Sequence, residues 1–271
     1  MSWRHALIAV LGYAALLSTA PASAQQVQAP ANRWVVDGGN IRCSLARRIG
    51  GPGSPILILS SYLGRDEPQF LLLRDGPDEL PRLPRRVRIV LAPGDRSEEV
   101  RPVPSRAETV RAIVIEGLSE GFFDRFAAAE SIRMEWDGRD YVSMRTPGAA
   151  RAVTALRACN DDLLRSWGID MALRATLIRK PRAISGVIND TDYPLEARRN
   201  EQSGVTVINF IINVDGTLSD CRTAVSSGWP VLDAAACQLM TARFRYQPAL
   251  GADGRAVAIR EVRTITWLYP D

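Results

Sequence analysis

The sequence predicts an α+β fold in two parts: an N-terminal small antiparallel β domain with a C-terminal helix, followed by a domain whose three-stranded antiparallel sheet packs with helices. Short apolar runs separated by Gly, Pro and Asp turns predict the first sheet, and a stretch of helical periodicity follows it. Three alternating strands and one helix fill the last third of the chain. With 271 residues, 46% of them hydrophobic, each part can bury its own core.

The first 24 residues have the three parts of a secretory signal peptide. A short start containing Arg4 precedes an apolar run at residues 6–17, and the small triplet Ala22-Ser23-Ala24 follows. The apolar run is shorter than the about 20 residues that a spanning helix needs. The sequence therefore predicts a signal peptide at residues 1–24, cleaved after Ala24, and a periplasmic protein. The alternative is an uncleaved leader that anchors the protein in the inner membrane, facing the periplasm.

Residues 25–165 are predicted to form the first domain, whose function no motif identifies. Its predicted strands are residues 34–36, 41–45, 56–61, 70–74, 87–91, 111–118, 132–136 and 141–145. A short helix is predicted over residues 121–130 and a longer one over 148–165. In the longer helix the residues that share one apolar face are Ala152, Leu156, Cys159 and Leu163. Residues 166–185 have less pattern and are predicted to be a linker that packs in part on a neighbour.

The four cysteines predict two disulfides, because an even number in an exported chain usually pairs. Three pairings are open, and we favour Cys43–Cys159 and Cys221–Cys237 because each lies within one predicted domain. Free buried thiols are the alternative. No C-x-x-C pair occurs, which disfavours zinc and thioredoxin-type sites.

The C-terminal domain, residues 186–271, has the clearest strand pattern. Residues 205–214 alternate, the turn pair Asp215-Gly216 predicts a hairpin, and residues 218–226 return as a second strand. A helix over 231–244 follows Pro230. A long final strand is predicted over 256–268. Its alternation slips between Ile259 and Val262, and this slip predicts a bulge.

Several short motifs occur in this domain in a characteristic order. They are Tyr193-Pro194, a short helix at 195–200, Gly204-Val205, Asp215-Gly216, Leu232-Asp233-Ala234, Arg245-Tyr246-Gln247-Pro248 and Gly254. In that order and spacing, the segment resembles the C-terminal domain of the TonB family of energy transducers. Each motif is weak alone, whereas the ordered set is specific.

The resemblance implies a binding function. TonB proteins pair an extended segment of an outer-membrane receptor with the open edge of the small sheet, helped by the Tyr-Pro region. Carried over, the partner-binding residues are Tyr193, Pro194, Arg260, Val262, Thr264 and Thr266. The implied partner is an outer-membrane TonB-dependent receptor or another envelope protein. For Tyr193-Pro194 the alternative is a plain turn at the domain entry. For the final strand it is an edge covered by the first domain or by the mate in a homodimer.

Composition excludes several other classes of function. The only histidine, His5, lies in the predicted leader, so Ser-His and Cys-His pairs and histidine-based metal sites are excluded from the mature chain. The lone lysine, Lys180, has no serine motif around it. The 34 basic and 30 acidic residues are interleaved, which disfavours nucleic-acid binding. We therefore predict no enzyme activity, cofactor or metal, and an envelope hydrolase is the least favoured alternative.

The predicted function is that of a periplasmic TonB-like protein that binds an extended partner segment by edge-strand pairing and is linked to TonB-dependent transport. The alternative within the same family is a true energy transducer with an uncleaved inner-membrane anchor. Family transducers also carry a long Pro-rich spacer, whereas this chain has a folded domain in its place.

Overall fold

The computed structural model describes residues 33–51, 53–61, 63, 68–74, 86–94, 96–107 and 110–269. The predicted signal peptide at residues 1–24 therefore lies outside the described residues. The α+β class predicted from the sequence is confirmed: antiparallel sheets with few helices make up the described chain.

Among its described residues, the first domain contains nine antiparallel strands and two helices. The strands are β1 (Val35–Gly38), β2 (Cys43–Arg48), β3 (Ile56–Ser61), β4 (Pro68–Arg74), β5 (Val87–Ala92), β6 (Arg96–Ala107), β7 (Val110–Glu116), β8 (Ser131–Trp136) and β9 (Arg139–Arg145). They lie in the order β1-β2-β3-β4-β7-β6-β5-β8-β9. The helices are α1 (Phe122–Ala127) and α2 (Ala149–Ser166).

Strand β6 is the one strand of this sheet that the sequence analysis missed. Its first five residues pair with β5, and residues 101–107 pair with β7. Each half therefore has a paired neighbour on one side only. That arrangement tolerates Pro102 and Pro104, which lack the N–H that a central strand must donate. Because of these prolines and the charged residues before them, the segment lacks the apolar alternation that predicts a strand.

The core of the first domain lies between one face of the sheet and the two helices. Phe122 and Phe126 of α1 and Val153 and Leu156 of α2 are buried there with side chains of the strands. The predicted Cys43–Cys159 disulfide is present and joins β2 to α2, with the two Cα atoms 6.1 Å apart. The helical face predicted from the spacing of residues 152–163 is thus the face that enters the core.

A three-stranded antiparallel sheet in the order β12-β11-β16 is the centre of the C-terminal domain. The elements after α2 are α3 (Met171–Ala175), β10 (Arg182–Ser185), α4 (Leu195–Arg199), β11 (Gly204–Ile212), β12 (Leu218–Val225), α5 (Pro230–Arg243), β13 (Arg245–Gln247), β14 (Ala249–Leu250), β15 (Ala256–Val257) and β16 (Ile259–Trp267). Two ribbons, β10-β13 and β14-β15, complete it. The predicted Cys221–Cys237 disulfide is present and joins β12 to α5.

The hairpin between β11 and β12 turns at Asp215-Gly216, as the sequence predicts. Gly216 has φ 82°, and a Cβ there would collide with the backbone carbonyl of Tyr246. Only glycine satisfies both conditions. The turn therefore also fixes where β13 lies, because the Tyr246 N–H donates to the Gly216 carbonyl at 2.9 Å.

The bulge predicted in the final strand is wrong. The chain changes sheets at Ala258, and β16 then pairs with β11 in unbroken register from Ile259 to Trp267. The apolar alternation slips because β16 is covered on both faces, so that neighbouring positions are both buried. The register shifts of this sheet lie instead between β11 and β12, where Asp220 has a positive φ of 48°.

Candidate functional site

Strand β16 is an outer strand of the three-stranded sheet, so one of its edges faces away from β11. Among the described residues, no backbone–backbone hydrogen bond joins β16 to any strand other than β11. In an edge strand about half of the residues direct their N–H and C=O groups outward. The outer edge of β16 is therefore a row of backbone donors and acceptors that an additional strand can pair with.

Apolar cores on both faces of the sheet hold β16 in place. On the face toward α5, Ile265 and Trp267 pack in a cluster with Phe210 of β11 and Met240 of α5. We call this the α5 face. On the opposite face, Val262 packs in a second cluster whose other buried members are Leu164, Trp167, Ile169 and Val207. A strand with both faces buried is a rigid template for pairing.

A network of hydrogen bonds centred on Asp233 fixes the Trp267 end of β16. The Asp233 carboxylate accepts from the Thr206 hydroxyl at 2.9 Å, the Ser226 hydroxyl at 2.5 Å and the Ser227 N–H at 2.9 Å. The Trp267 indole N–H in turn donates to the Thr206 hydroxyl oxygen at 3.1 Å. Burial raises the pKa of Asp233, but the hydrogen bonds outweigh it and leave the pKa below its ordinary value.

The four predicted partner-binding residues of β16 occupy alternate positions, so their side chains share one face. This is the face opposite α5. Val262 and Thr264 are 3% and 1% exposed, and the Thr264 hydroxyl donates to the Leu63 carbonyl of the first domain at 2.9 Å. Arg260 donates to Asn209 at 2.8 Å and forms an ion pair with Asp220, and Thr266 is half-buried. What these residues can offer a partner is therefore mainly their backbone.

Tyr193 and Pro194 are adjacent in the chain but have different surroundings. The Tyr193 ring packs edge-on against Trp267 with the centroids 5.8 Å apart, and its hydroxyl donates to the Gln202 carbonyl. Tyr193 thus supports the end of β16. Pro194 lies immediately before α4 and lines a groove between the segment ahead of that helix and α5.

This groove, about 520 Å³ in volume, did not emerge from the sequence analysis. Its lining includes Val231, Ala235 and Leu239, which share a face of α5. An ion pair between Asp192 and Arg243 forms part of its lining, with Nη1 and Oδ2 2.7 Å apart. The hydrogen bond from Arg243 holds the pKa of Asp192 below its ordinary value, and the backbone N–H of Asn189 adds to this. The apolar spacing i, i+4, i+8 of Val231, Ala235 and Leu239 is the sequence feature from which this groove could have been predicted.

Two charged residues of β16 point toward the α5 face. Glu261, whose side chain is 12% exposed, forms an ion pair with Arg174 of α3. The Arg263 guanidinium lies over the Phe244 ring, 5.2 Å from its centroid. Because Arg174 belongs to the segment that precedes the C-terminal domain, the ion pair brings that segment to the outer strand.

A comparison with known protein families finds a match in the C-terminal part of the chain. Residues 189–268 match the family model described as Gram-negative bacterial TonB protein C-terminal. No curated protein matches the chain. The match confirms the resemblance predicted for residues 186–271, and it leaves the first domain and residues 166–185 outside it.

Domains of this family are non-enzymatic and interact with outer-membrane receptors. The C-terminal part of the chain is therefore similar to a non-enzymatic interaction domain found in envelope proteins. Within the described residues, no helix is both long enough and apolar enough to cross a membrane.

Proposed function

We propose that this protein binds an extended segment of an outer-membrane receptor or another envelope protein along the outer edge of β16. The proposal starts from the match to the TonB C-terminal family at residues 189–268, and it links the protein to TonB-dependent transport. The observation that carries the proposal is the regular outer strand itself. Its nine residues keep one register with β11, and among the described residues its other edge has no backbone partner. A strand of this length is about 30 Å long, enough for a partner segment of similar length.

Main-chain pairing supplies the affinity in this proposal. Each hydrogen bond between backbones contributes about 0.5–1.5 kcal/mol net. About four residues of β16 direct both an N–H and a C=O outward, so about eight such bonds are within reach. The side chains of Val262 and Thr264 are already buried by the rest of the chain. Specificity therefore comes from residues at the Trp267 end of the edge, including Thr266 and Tyr193, rather than from the middle of the strand.

The proposal is tested with a cysteine cross-linking scan on the full chain. A Thr266→Cys variant is mixed with synthetic peptides copied from the N-terminal periplasmic segments of TonB-dependent outer-membrane receptors, each carrying one activated cysteine at a different position. Strand pairing places successive peptide side chains on opposite faces, so the yield should rise and fall with a period of two residues.

The matched control is Thr223→Cys, an exposed residue of β12, the other outer strand of the same sheet. We expect cross-links at residue 266 to exceed those at residue 223 at least fivefold. Equal yields at the two positions, or no alternation along the peptide, would contradict pairing on β16.

We also propose that the protein is exported and that its leader is removed after Ala24. The supporting feature is the short apolar run at residues 6–17 ahead of the small triplet. Mass spectrometry of the protein from its native envelope should give a chain that begins at Gln25. A chain that begins at Met1 in the inner-membrane fraction would instead support an anchored energy transducer.

A further inference from the structure

The segment between the two domains, residues 166–185, passes from one face of the C-terminal sheet to the other; we call it the connecting segment. At its start, Trp167 and Ile169 are 7% and 4% exposed in the cluster on the face opposite α5. At its end, β10 pairs with β13, whose Tyr246 lies in the cluster on the α5 face. A chain that begins on one face and ends on the other must go round the sheet.

The ion pair of Arg174 with Glu261 shows where the connecting segment goes round. Glu261 belongs to β16, so α3 lies beside this outer strand. A few residues later, the Ile178 N–H donates to the Leu250 carbonyl at 3.0 Å, and the Leu250 N–H donates to the Arg179 carbonyl at 3.0 Å. The chain therefore passes the first third of β16, near the end at Ile259.

The two ends of the connecting segment are firmly attached, whereas α3 between them has weaker contacts: the partly buried Met171 packs against the cluster on the face opposite α5, and Arg174 forms its ion pair. At one end, the Asn209 side chain donates to the Trp167 carbonyl at 2.8 Å, in addition to the apolar contacts. At the other end, backbone hydrogen bonds join the segment to β13 and β14. None of the five residues of α3 is buried. A short helix without buried side chains opens at low free-energy cost.

We propose that α3 is a displaceable cover on the outer edge of β16, held closed by the Arg174–Glu261 ion pair. This inference rests on the proposed function, because the cover matters only if a strand pairs there. A partner strand that runs the full length of β16 meets α3 at Glu261, and it must move α3 or stop short of it. Partner binding then requires opening of α3, and loss of the ion pair favours binding.

Hydrogen–deuterium exchange of the full chain, without any partner, tests the cover itself. Breaking the ion pair with Glu261→Gln or Arg174→Gln should increase amide exchange in residues 259–264 about tenfold and leave residues of β11 unchanged. The matched control is Arg222→Gln, which removes an ion pair with Asp220 on β12, the other outer strand. Unchanged exchange in residues 259–264 for both variants would overturn the proposal.

A binding measurement separates this proposal from the proposed function. The same receptor peptides are titrated into the parent protein and into the Glu261→Gln variant, and the dissociation constants are compared. A several-fold lower constant for the variant supports the cover. If the variants exchange faster in residues 259–264 but no variant binds the peptides, the cover is supported and pairing on β16 is rejected. If the parent and the Glu261→Gln variant bind equally tightly and exchange in residues 259–264 is unchanged, pairing on β16 is supported and the cover is rejected.

Discussion

The two outer strands of the C-terminal sheet differ in regularity and in burial. Strand β12 has two register shifts against β11, and none of its eight residues is buried. Strand β16 pairs with β11 without a shift, and six of its nine residues are buried. Both strands have the same neighbour, so the difference arises from β12 and β16 themselves and from what covers them.

This difference bears on unwanted pairing as well as on binding. Bulges and charged side chains make an outer strand a poor template, and β12 has both, with Asp220 in the left-handed region and Arg222 exposed. Strand β16 has no bulge along its register with β11. It does carry the charged residues Arg260, Glu261 and Arg263. The contacts of Arg174 and Leu63 with β16 add protection from other parts of the chain.

The largest expected effect comes from removing the apolar side chain of Trp167 from the face of the sheet opposite α5. Replacing Trp167 with alanine leaves a cavity beside Val207 and Val262, and we expect a loss of about 3–5 kcal/mol in the free energy of unfolding. Urea denaturation measures it. Trp229→Ala is the control, because Trp229 is 40% exposed and a loss below about 1 kcal/mol is expected. A loss below about 1 kcal/mol for Trp167→Ala as well would show that β16 does not depend on this face.

A smaller effect is expected at the irregular position of β12. Asp220 has φ 48°, which glycine adopts without strain and alanine does not. Both Asp220→Gly and Asp220→Ala lose the contacts with Arg222 and Arg260, so comparing them isolates the backbone. We expect the glycine variant to melt about 3 °C higher than the alanine variant in a thermal scan. Equal melting temperatures would argue that the left-handed conformation costs nothing there.

Much of this fold was accessible from the sequence because its signals are local. The alternation of residues 205–214 and the turn at Gly216 depend on a few neighbouring residues, and the structure confirms both. The pairing Cys221–Cys237 is favoured because both cysteines lie within one predicted domain, and the structure confirms it. The edge position of the final strand followed from the resemblance to TonB domains, and the sheet order agrees with it.

What the sequence could not show depends on contacts between distant segments. The slip at Ile259 was interpreted as a bulge because nothing in the pattern reveals that Trp167 and Ile169 cover the second face of β16. The contact between Thr264 and Leu63 joins residues 201 positions apart and leaves no periodic signal. Likewise, Arg174 shows no local sign that its partner is Glu261.

The smallest expected effect concerns the acid stability of the Trp267 end of β16. The pKa of Asp233 is lower in the folded protein than the about 3.9 of an unfolded chain, so its carboxylate stabilises the fold fully above that pH. The contribution is lost as the pH falls through the folded pKa. The difference in unfolding free energy between the parent protein and Asp233→Asn should therefore be constant from pH 7 to about 5 and shrink below about 4.

Ser226→Ala provides the graded comparison for this effect, because it removes one of the donors that stabilise the ionised carboxylate. In this variant the folded pKa of Asp233 should lie nearer its ordinary value. The variant should therefore be less stable than the parent above pH 5, and the two stabilities should converge in acid. Amide hydrogen exchange of residues 265–267 follows the difference between the parent protein and Asp233→Asn, since the Trp267 indole donates to the Thr206 hydroxyl, which donates to Asp233. A difference that stays constant down to pH 2 would mean that Asp233 is not the group that ties this end of β16 to α5.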